Sequence, residues 1–357
     1  MDFTLATDDR AHFVVILFVV IILLNLVIFS FIAFFRIALS LRGKRERKFL
    51  EKWRPIITQS AFQKDVKLPA MDKKYIMLFI SEWNALYDKL GGDCHDNLVF
   101  LAIRLRIHQY AVGLLITGQK SNQLAGITTL GNIRSDNAWN PLVAIAHTDN
   151  TVVSLAAFNA CSKINPERVF TELFHLCIER KDWPTVLVAR VLKNLNSLQV
   201  CQSLYKQVSE CKENSLNNVL TLFGANKCID TYNPIKIALE KSNDPSVIAL
   251  CLKALNDPRG VNIVVSYAHH DDSYVRMQAA VSLGRIGGKD EVPLLINLMC
   301  DEDWWVRYRA AQTLVHLPFL DKTEFLSIKE NLNNPNGIQM LNQVLLETKV
   351  QQSLNEA

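Results

Sequence analysis

The side chains with the clearest chemical potential lie between residues 269 and 307. His269-His270-Asp271-Asp272 is the densest polar cluster in the chain. Two imidazoles beside two carboxylates could ligate a metal. The same run also suits an inter-helix loop whose aspartate caps the next helix. Glu302-Asp303 fills the equivalent slot one unit later without histidine, which favours capping. Arg276 and Arg307 could grip a phosphate or a carboxylate. In a stacked array they are better placed to bridge to Asp272 and Asp303 as an internal ladder, because arginine pairs with carboxylate through two parallel bonds. Trp304 and Trp305 cannot both face one core, since neighbours on a helix point about 100° apart. One of them is a candidate partner anchor; packing against the inter-repeat loop is the equal alternative.

Elsewhere the chemistry is sparse. Cys94-His95 with His108 is a Cys/His grouping in the expected N-terminal cap, and no oxyanion loop is evident near it. No Gly-rich phosphate loop, GxSxG elbow or HExxH occurs. The eight cysteines contain no CxxC. Most sit in apolar helical contexts and read as buried free thiols, which implies a reducing compartment. No catalytic, cofactor-binding or metal-binding residue is assigned, and no cofactor is expected.

The element that must position these residues is a helical unit written twice. HDDSYVRMQAAVSLGRIG starts at His270 and CDEDWWVRYRAAQTLVHLP at Cys300. At a shift of 31, Asp272 falls on Asp303, Val275 on Val306, Arg276 on Arg307, Ala279-Ala280 on Ala310-Ala311 and Leu283 on Leu314. Such units bury their apolar faces only by stacking on neighbours. Fainter copies precede them. Leu130-Gly131-x-Ile133 matches Leu283-Gly284-x-Ile286, and Asp149, Val153, Ala157 and Ile164 match Asp271, Val275, Ala279 and Ile286. Asn243-Asp244-Pro245 and Asp182-Trp183-Pro184 each read as an N-cap leading into a proline-opened helix. Trp139 and Trp183 read as core.

The pattern D-x-x-VR-x-x-A-A-x-x-L-G at about 31 residues per unit resembles the short HEAT-like repeat named after phycobilisome lyases. The resemblance implies an α-solenoid whose second helices line a concave face and bind extended partners. By resemblance alone, lyase or chromophore-handling activity is the alternative function. The di-iron chemistry of some HEAT-like hydroxylases needs His-Glu pairs, and this sequence has no His-Glu dipeptide.

Residues 12–35 form an uncharged apolar run, interrupted only by Asn25 and Ser30. As a helix it spans about 36 Å, enough for a hydrocarbon core of about 30 Å. It is too long, and its leader too acidic, for a cleaved signal peptide. The six basic residues Arg36, Arg42, Lys44, Arg45, Arg47 and Lys48 follow it. The positive-inside rule places that flank in the cytoplasm. With Phe49, Leu50, Trp53, Ile56 and Ile57 the flank suits an interfacial helix on anionic lipid, limited by Pro55. A plain stop-transfer flank is the alternative. Asn25 is a candidate for pairing with another transmembrane helix.

Residues 55–357 carry 30 basic and 30 acidic side chains, so the body is neutral and argues against a nucleic-acid partner. The expected architecture is all-α: one transmembrane helix followed by a solenoid of about seven HEAT-like helix pairs. Residues 1–11 form a short outer N-terminus, 12–35 the span, and 36–71 a basic juxtamembrane segment and linker. Residues 72–118 form an N-terminal helical cap, with helices expected over 72–90 and 97–117. Repeats occupy 119–318, and a C-terminal cap and tail occupy 319–357. The expected protein is a single-pass, non-catalytic scaffold of a bacterial inner membrane, its solenoid cytoplasmic. Its partner-binding residues are Trp304, Trp305, Arg276 and Arg307. Arg42, Lys44, Arg45, Arg47, Lys48 and Trp53 are its membrane-surface residues.

Overall fold

A computed structural model describes residues 5–355 apart from 227 and 321, with side chains described between 16 and 348 except at 214, 227, 321 and 322. All side chains of the expected N-terminal segment 1–11 therefore lie outside the described residues. Every regular element among the described residues is helical. The chain divides into two compact units, Met1–Ala138 and Trp139–Ala357.

The first unit begins with one helix of 58 residues, α1 (Leu5–Phe62). From Ile16 to Leu41 its large apolar side chains are exposed. It is the one unbroken helix in the described chain long and apolar enough to cross a membrane. The Asn25 amide donates to its own helix at Ile21 O, 2.8 Å away, so this N–H needs no second helix.

Beyond the basic flank, α1 departs from the sequence expectation. The segment through Trp53 is not a separate interfacial helix, and the linker expected within 36–71 is limited to the irregular stretch after Phe62. The Trp53 segment is the continuation of α1, and Phe49, Trp53, Ile57 and Ala61 enter the core of the unit. Trp53 is 1% exposed and packs edge-on against Phe79, so it is not a membrane-surface residue. Pro55 removes one helix bond, yet α1 runs on to Phe62. Burying Trp53 and Ile57 outweighs that local cost, as tertiary packing commonly outweighs propensity. The basic side chains of the flank, on other sides of the helix, remain mostly exposed.

Four shorter helices complete this unit: α2 (Ile76–Tyr87), α3 (Asp93–Arg104), α4 (Ile107–Leu115) and α5 (Lys120–Ile133). The single helix expected over 97–117 is two, bent by 81° at Leu105-Arg106. Arg106 adopts left-handed geometry at φ 55°, with no glycine there to signal it. Arg54 ties α1 to α2 through a forked pair with Glu82 at 2.8 and 2.9 Å. The buried Asn132 amide donates to the half-buried Asn84, and Asn84 also donates to Thr129, which fixes the register of α2 on α5. The Leu130-Gly131-Asn132-Ile133 echo thus belongs to this unit rather than to the array.

The second unit is a run of helical hairpins. Its first helices are α6 (Trp139–Ala146), the broken pair α8 (Pro166–Glu172) and α9 (Leu176–Glu179), α11 (Ser197–Glu210), α13 (Tyr232–Lys241), α15 (Val261–Tyr267), α17 (Val292–Leu298) and α19 (Lys322–Asn331). Its second helices are α7 (Thr151–Ile164), α10 (Thr185–Leu192), α12 (Glu213–Ala225), α14 (Pro245–Ala254), α16 (Ser273–Ile286), α18 (Trp304–Val315) and α20 (Pro335–Asn355). Each second helix packs on the next, from α7 to α20. Each copy of the repeat in the sequence therefore buries its alanine and leucine positions, for example Ala279, Ala280 and Leu283. Close approach is built in at Gly284, where a Cβ would lie 2.5 Å from Thr313 Cγ2.

Basic side chains tie successive hairpins together at helix ends, where carbonyls lack helical partners. Arg285 donates to the carbonyls of Leu252 and Lys253 at the end of α14. Lys241 does the same at Val208 and Ser209. Arg180 reaches Ala146 and Thr148 and forms a forked pair with Asp182. Asp182 also accepts from Thr151, so it is not the N-cap expected before Pro184. Hydrogen bonds from Arg180 and Thr151 hold its carboxyl well below the usual range. Asp244 is the cap expected of it, accepting from Ser246 N with Pro245 next in line.

The cysteines also depart from expectation. Cys201, at the start of the second turn of α11, is joined to Cys228 in the α12–α13 loop. The hairpin brings their Cα atoms to 5.6 Å although 27 residues separate them, a proximity no sequence spacing shows. Six cysteines are free. The reducing-compartment reading therefore loses its basis at this pair.

Candidate interaction edge at the starts of α16 and α18

The starts of second helices form an edge of the array, and its best-defined part lies at α16 and α18. The Asp272 side chain caps α16, accepting from Tyr274 N at 2.8 Å and Val275 N at 3.2 Å. Asp303 caps α18 through Trp305 N and Val306 N at the same two distances. His270 Nδ1 accepts from Asp272 N at 3.0 Å, which locks the loop. No group of three or more metal-ligating side chains occurs among the described residues. The His269-to-Asp272 cluster is a loop and cap.

Arg276 is a rung between units, not within one. Its Nε and Nη2 donate to the two Asp301 oxygens at 2.8 and 2.9 Å, and Nη1 donates to the carbonyls of His270 and Asp271. The expected partner Asp272 is occupied by capping. Burial alone would raise the Asp301 carboxyl; the Arg276 bonds, the Asp303 N–H and the two arginine charges outweigh it and hold the carboxyl below its usual range.

Arg307 repeats half of this arrangement. Its Nη1 donates to the carbonyls of Asp301 and Glu302, but Nε is buried without a partner. The expected bridge to Asp303 is absent because that carboxylate caps α18. A carboxylate from the following unit is missing too, because the residue 31 positions after Asp301 is Leu332. The ladder therefore has one rung.

Both tryptophans are exposed, Trp304 at 40% and Trp305 at 60%, so neither is taken up by the core. They lie at the first two positions of α18 and pack on each other and on Tyr308. Trp304 stacks on Tyr308 with centroids 5.1 Å apart, and Trp305 stands edge-on to Trp304 at 4.7 Å. The Tyr308 hydroxyl donates to Glu347 at 2.9 Å. The four other tryptophans, Trp53, Trp83, Trp139 and Trp183, are buried.

Sequence reasoning missed Tyr274, which occupies in α16 the slot of Trp305 in α18. A signal was present, since the two residues align at the repeat shift. The second helical position is exposed and apolar in α7 and α10 also, as Val152 and Val186. On the flank of α16 and α18, Arg285, Arg309, Gln312 and His316 line an open trough of about 360 Å³.

In the Cys94-His95 and His108 grouping, the His95 ring stacks on Tyr87 at 3.9 Å, and its Nε2 meets the Tyr87 carbonyl oxygen at 2.9 Å.

No curated protein matches the chain. Residues 233–315 match the family of HEAT repeats, the span that carries α13 to α18. With an all-helical structure, the match supports a HEAT-like repeat over the hairpins from α13 to α18.

Proposed function

We propose that the chain is a non-catalytic scaffold, tethered to a membrane by α1, that assembles protein partners on its HEAT-like array. The observation that carries this reading is the exposed Trp304–Trp305 pair, stacked on the half-buried Tyr308 at the edge of the array. Exposed tryptophans held by ring packing are characteristic anchors of protein interfaces, and HEAT repeats commonly mediate protein–protein contact. The tether rests on the exposed apolar stretch Ile16–Leu41 and the basic residues beside it. The cytoplasmic placement of the array rests on that basic flank alone. The exposed Arg42, Lys44, Arg45, Arg47 and Lys48 are suited to anionic headgroups, with Trp53 excluded by its burial.

The test places a photo-crosslinking amino acid at position 305 in the full chain, in native membranes, with position 205 as control. A discrete protein adduct specific to 305, and retention of the chain on alkaline extraction, is the expected result. Adducts identical at both positions would refute the scaffold reading. Release by alkaline extraction would refute the tether.

A further inference from the structure

We propose that the edge at α16 and α18 receives an extended, basic segment of a partner protein. The inference rests on the scaffold reading and names its partner by chemistry. Two observations point the same way. The first is the aromatic row: Tyr274 is 49% exposed and Trp305 60% exposed, in the same slot of adjacent helices. The second is charge. The loops and first turns from 269 to 276 and 300 to 307 hold Asp271, Asp272, Asp301, Glu302 and Asp303 against Arg276 and Arg307, a net of −3 with neutral histidines.

Not all of these carboxylates are available. Asp272 and Asp303 cap helices and Asp301 holds Arg276. The Glu302 side chain is 88% exposed, meeting only Arg276 at 3.4 Å. The Asp271 residue is exposed and caps no helix. The arginines nearby do not cancel them: Arg276 is buried in its pair, and Arg307 turns Nη1 onto backbone carbonyls. Exposed ring faces beside exposed carboxylates make a receptor for cations, through the ring quadrupole and ion pairing together.

Spacing sets the form of the partner. Packed helices lie about 8–10 Å apart, about one turn of an extended polyproline II chain, whose three residues per turn bring every third side chain to the same face. A segment crossing from Tyr274 to Trp305 therefore offers apolar side chains at i and i+3. Lysine or arginine between them meets Asp271 and Glu302.

The test uses the full chain in non-ionic detergent and a nine-residue peptide of three Leu-Arg-Gly repeats. Because the other four tryptophans are buried, a change in the exposed-tryptophan emission reports this edge. Saturable binding that weakens with salt is expected. Replacing arginine by citrulline should abolish it, and the D271N/E302Q double variant should weaken it about tenfold. Neither substitution touches a helix cap, so thermal unfolding of the double variant should match the parent. W305A, measured calorimetrically, should lose binding. Equal affinity for the citrulline peptide, or equal binding by D271N/E302Q or W305A, overturns the proposal. If crosslinking at 305 captures a protein through a segment without lysine or arginine, the basic class fails while the scaffold reading stands. If the peptide binds as expected and no membrane partner crosslinks, the scaffold reading fails instead.

Discussion

The single arginine rung between the last two well-preserved repeats can be tested by Asp301→Asn. The substitution keeps the shape and removes the charge that faces Arg276. Both groups are nearly buried, with side chains 10% and 11% exposed, and two charge-assisted bonds of 2.8 and 2.9 Å are affected. Removing one partner of a buried pair costs about 3–5 kcal/mol, because the other charge stays buried. Here Glu302 lies 3.4 Å from Arg276, and two carbonyls still accept from Nη1. The lower end, about 3 kcal/mol, is therefore expected. At about 1.4 kcal/mol per factor of ten, amide exchange in α16 and α18 should quicken by about 100-fold. Hydrogen exchange on the full chain, read on peptides covering 273–286 and 304–315, measures this directly. Asp271→Asn is the control, an exposed carboxylate expected to change little. The pH dependence has a definite sign. The folded Asp301 carboxyl is depressed, so its contribution is present above the unfolded value of about 3.9. That contribution fades as pH falls further, through the folded value. The stability gap between parent and variant should therefore shrink below about pH 4. Equal effects of the Asp301 and Asp271 variants, or a gap unchanged at low pH, would refute the reasoning.

Other expectations test different parts of the molecule. Trp53→Ala should cost about 3–5 kcal/mol in thermal unfolding of the first unit, whereas a lipid-facing tryptophan would leave that transition unmoved. Gly284→Ala should destabilise the array by about 1–3 kcal/mol, because the new methyl meets Thr313 Cγ2 on a stiff β-branched side chain. Adding Thr313→Ser removes that methyl and should restore much of the melting temperature. Alkylation near pH 8 should label the partly exposed Cys94, Cys211 and Cys300 and spare Cys161, Cys177 and Cys251, with mass spectrometry as the readout. Burial pushes the Cys161 and Cys251 thiols up to about 12 and Cys177 higher still. Denaturation should add three labels, and reduction two more, from Cys201 and Cys228.

The repeat was legible because its physics is local. Asp272 and Asp303 cap helices within three residues, and the alanine pairs face neighbouring helices at a fixed spacing. Asn334 in the run Asn333-Asn334-Pro335-Asn336-Gly337 could be read the same way, and its side chain accepts from Asn336 N and Gly337 N as α20 begins. Features decided by distant residues were not legible. Pro55 looked like a stop, but Phe79 and Trp83 supply the core that carries α1 through it. Arg276 had an aspartate four residues away and instead uses one 25 residues on. The break at Arg106 carries no local sign, and the Cys201–Cys228 approach depends on how a hairpin closes. At the edge, the pairing of Trp304 and Trp305 was visible, while their joint exposure depended on Tyr308 offering a ring to stack on.

The unbroken path of α1 has a mechanical meaning. In the proposed topology, no swivel separates the lipid-embedded turns from those that carry Phe49, Trp53 and Ile57 into the folded core. Tilt or rotation imposed on the span would be delivered to the first unit as through a stiff shaft. One residue inserted between Leu41 and Phe49 would turn that unit by about 100° and lift it by about 1.5 Å, while leaving every other contact intact. Activity in a membrane assembly should then vary with the number of inserted residues as a phase, recovering near a whole number of turns. A flexible stalk would show only a gradual dependence on length.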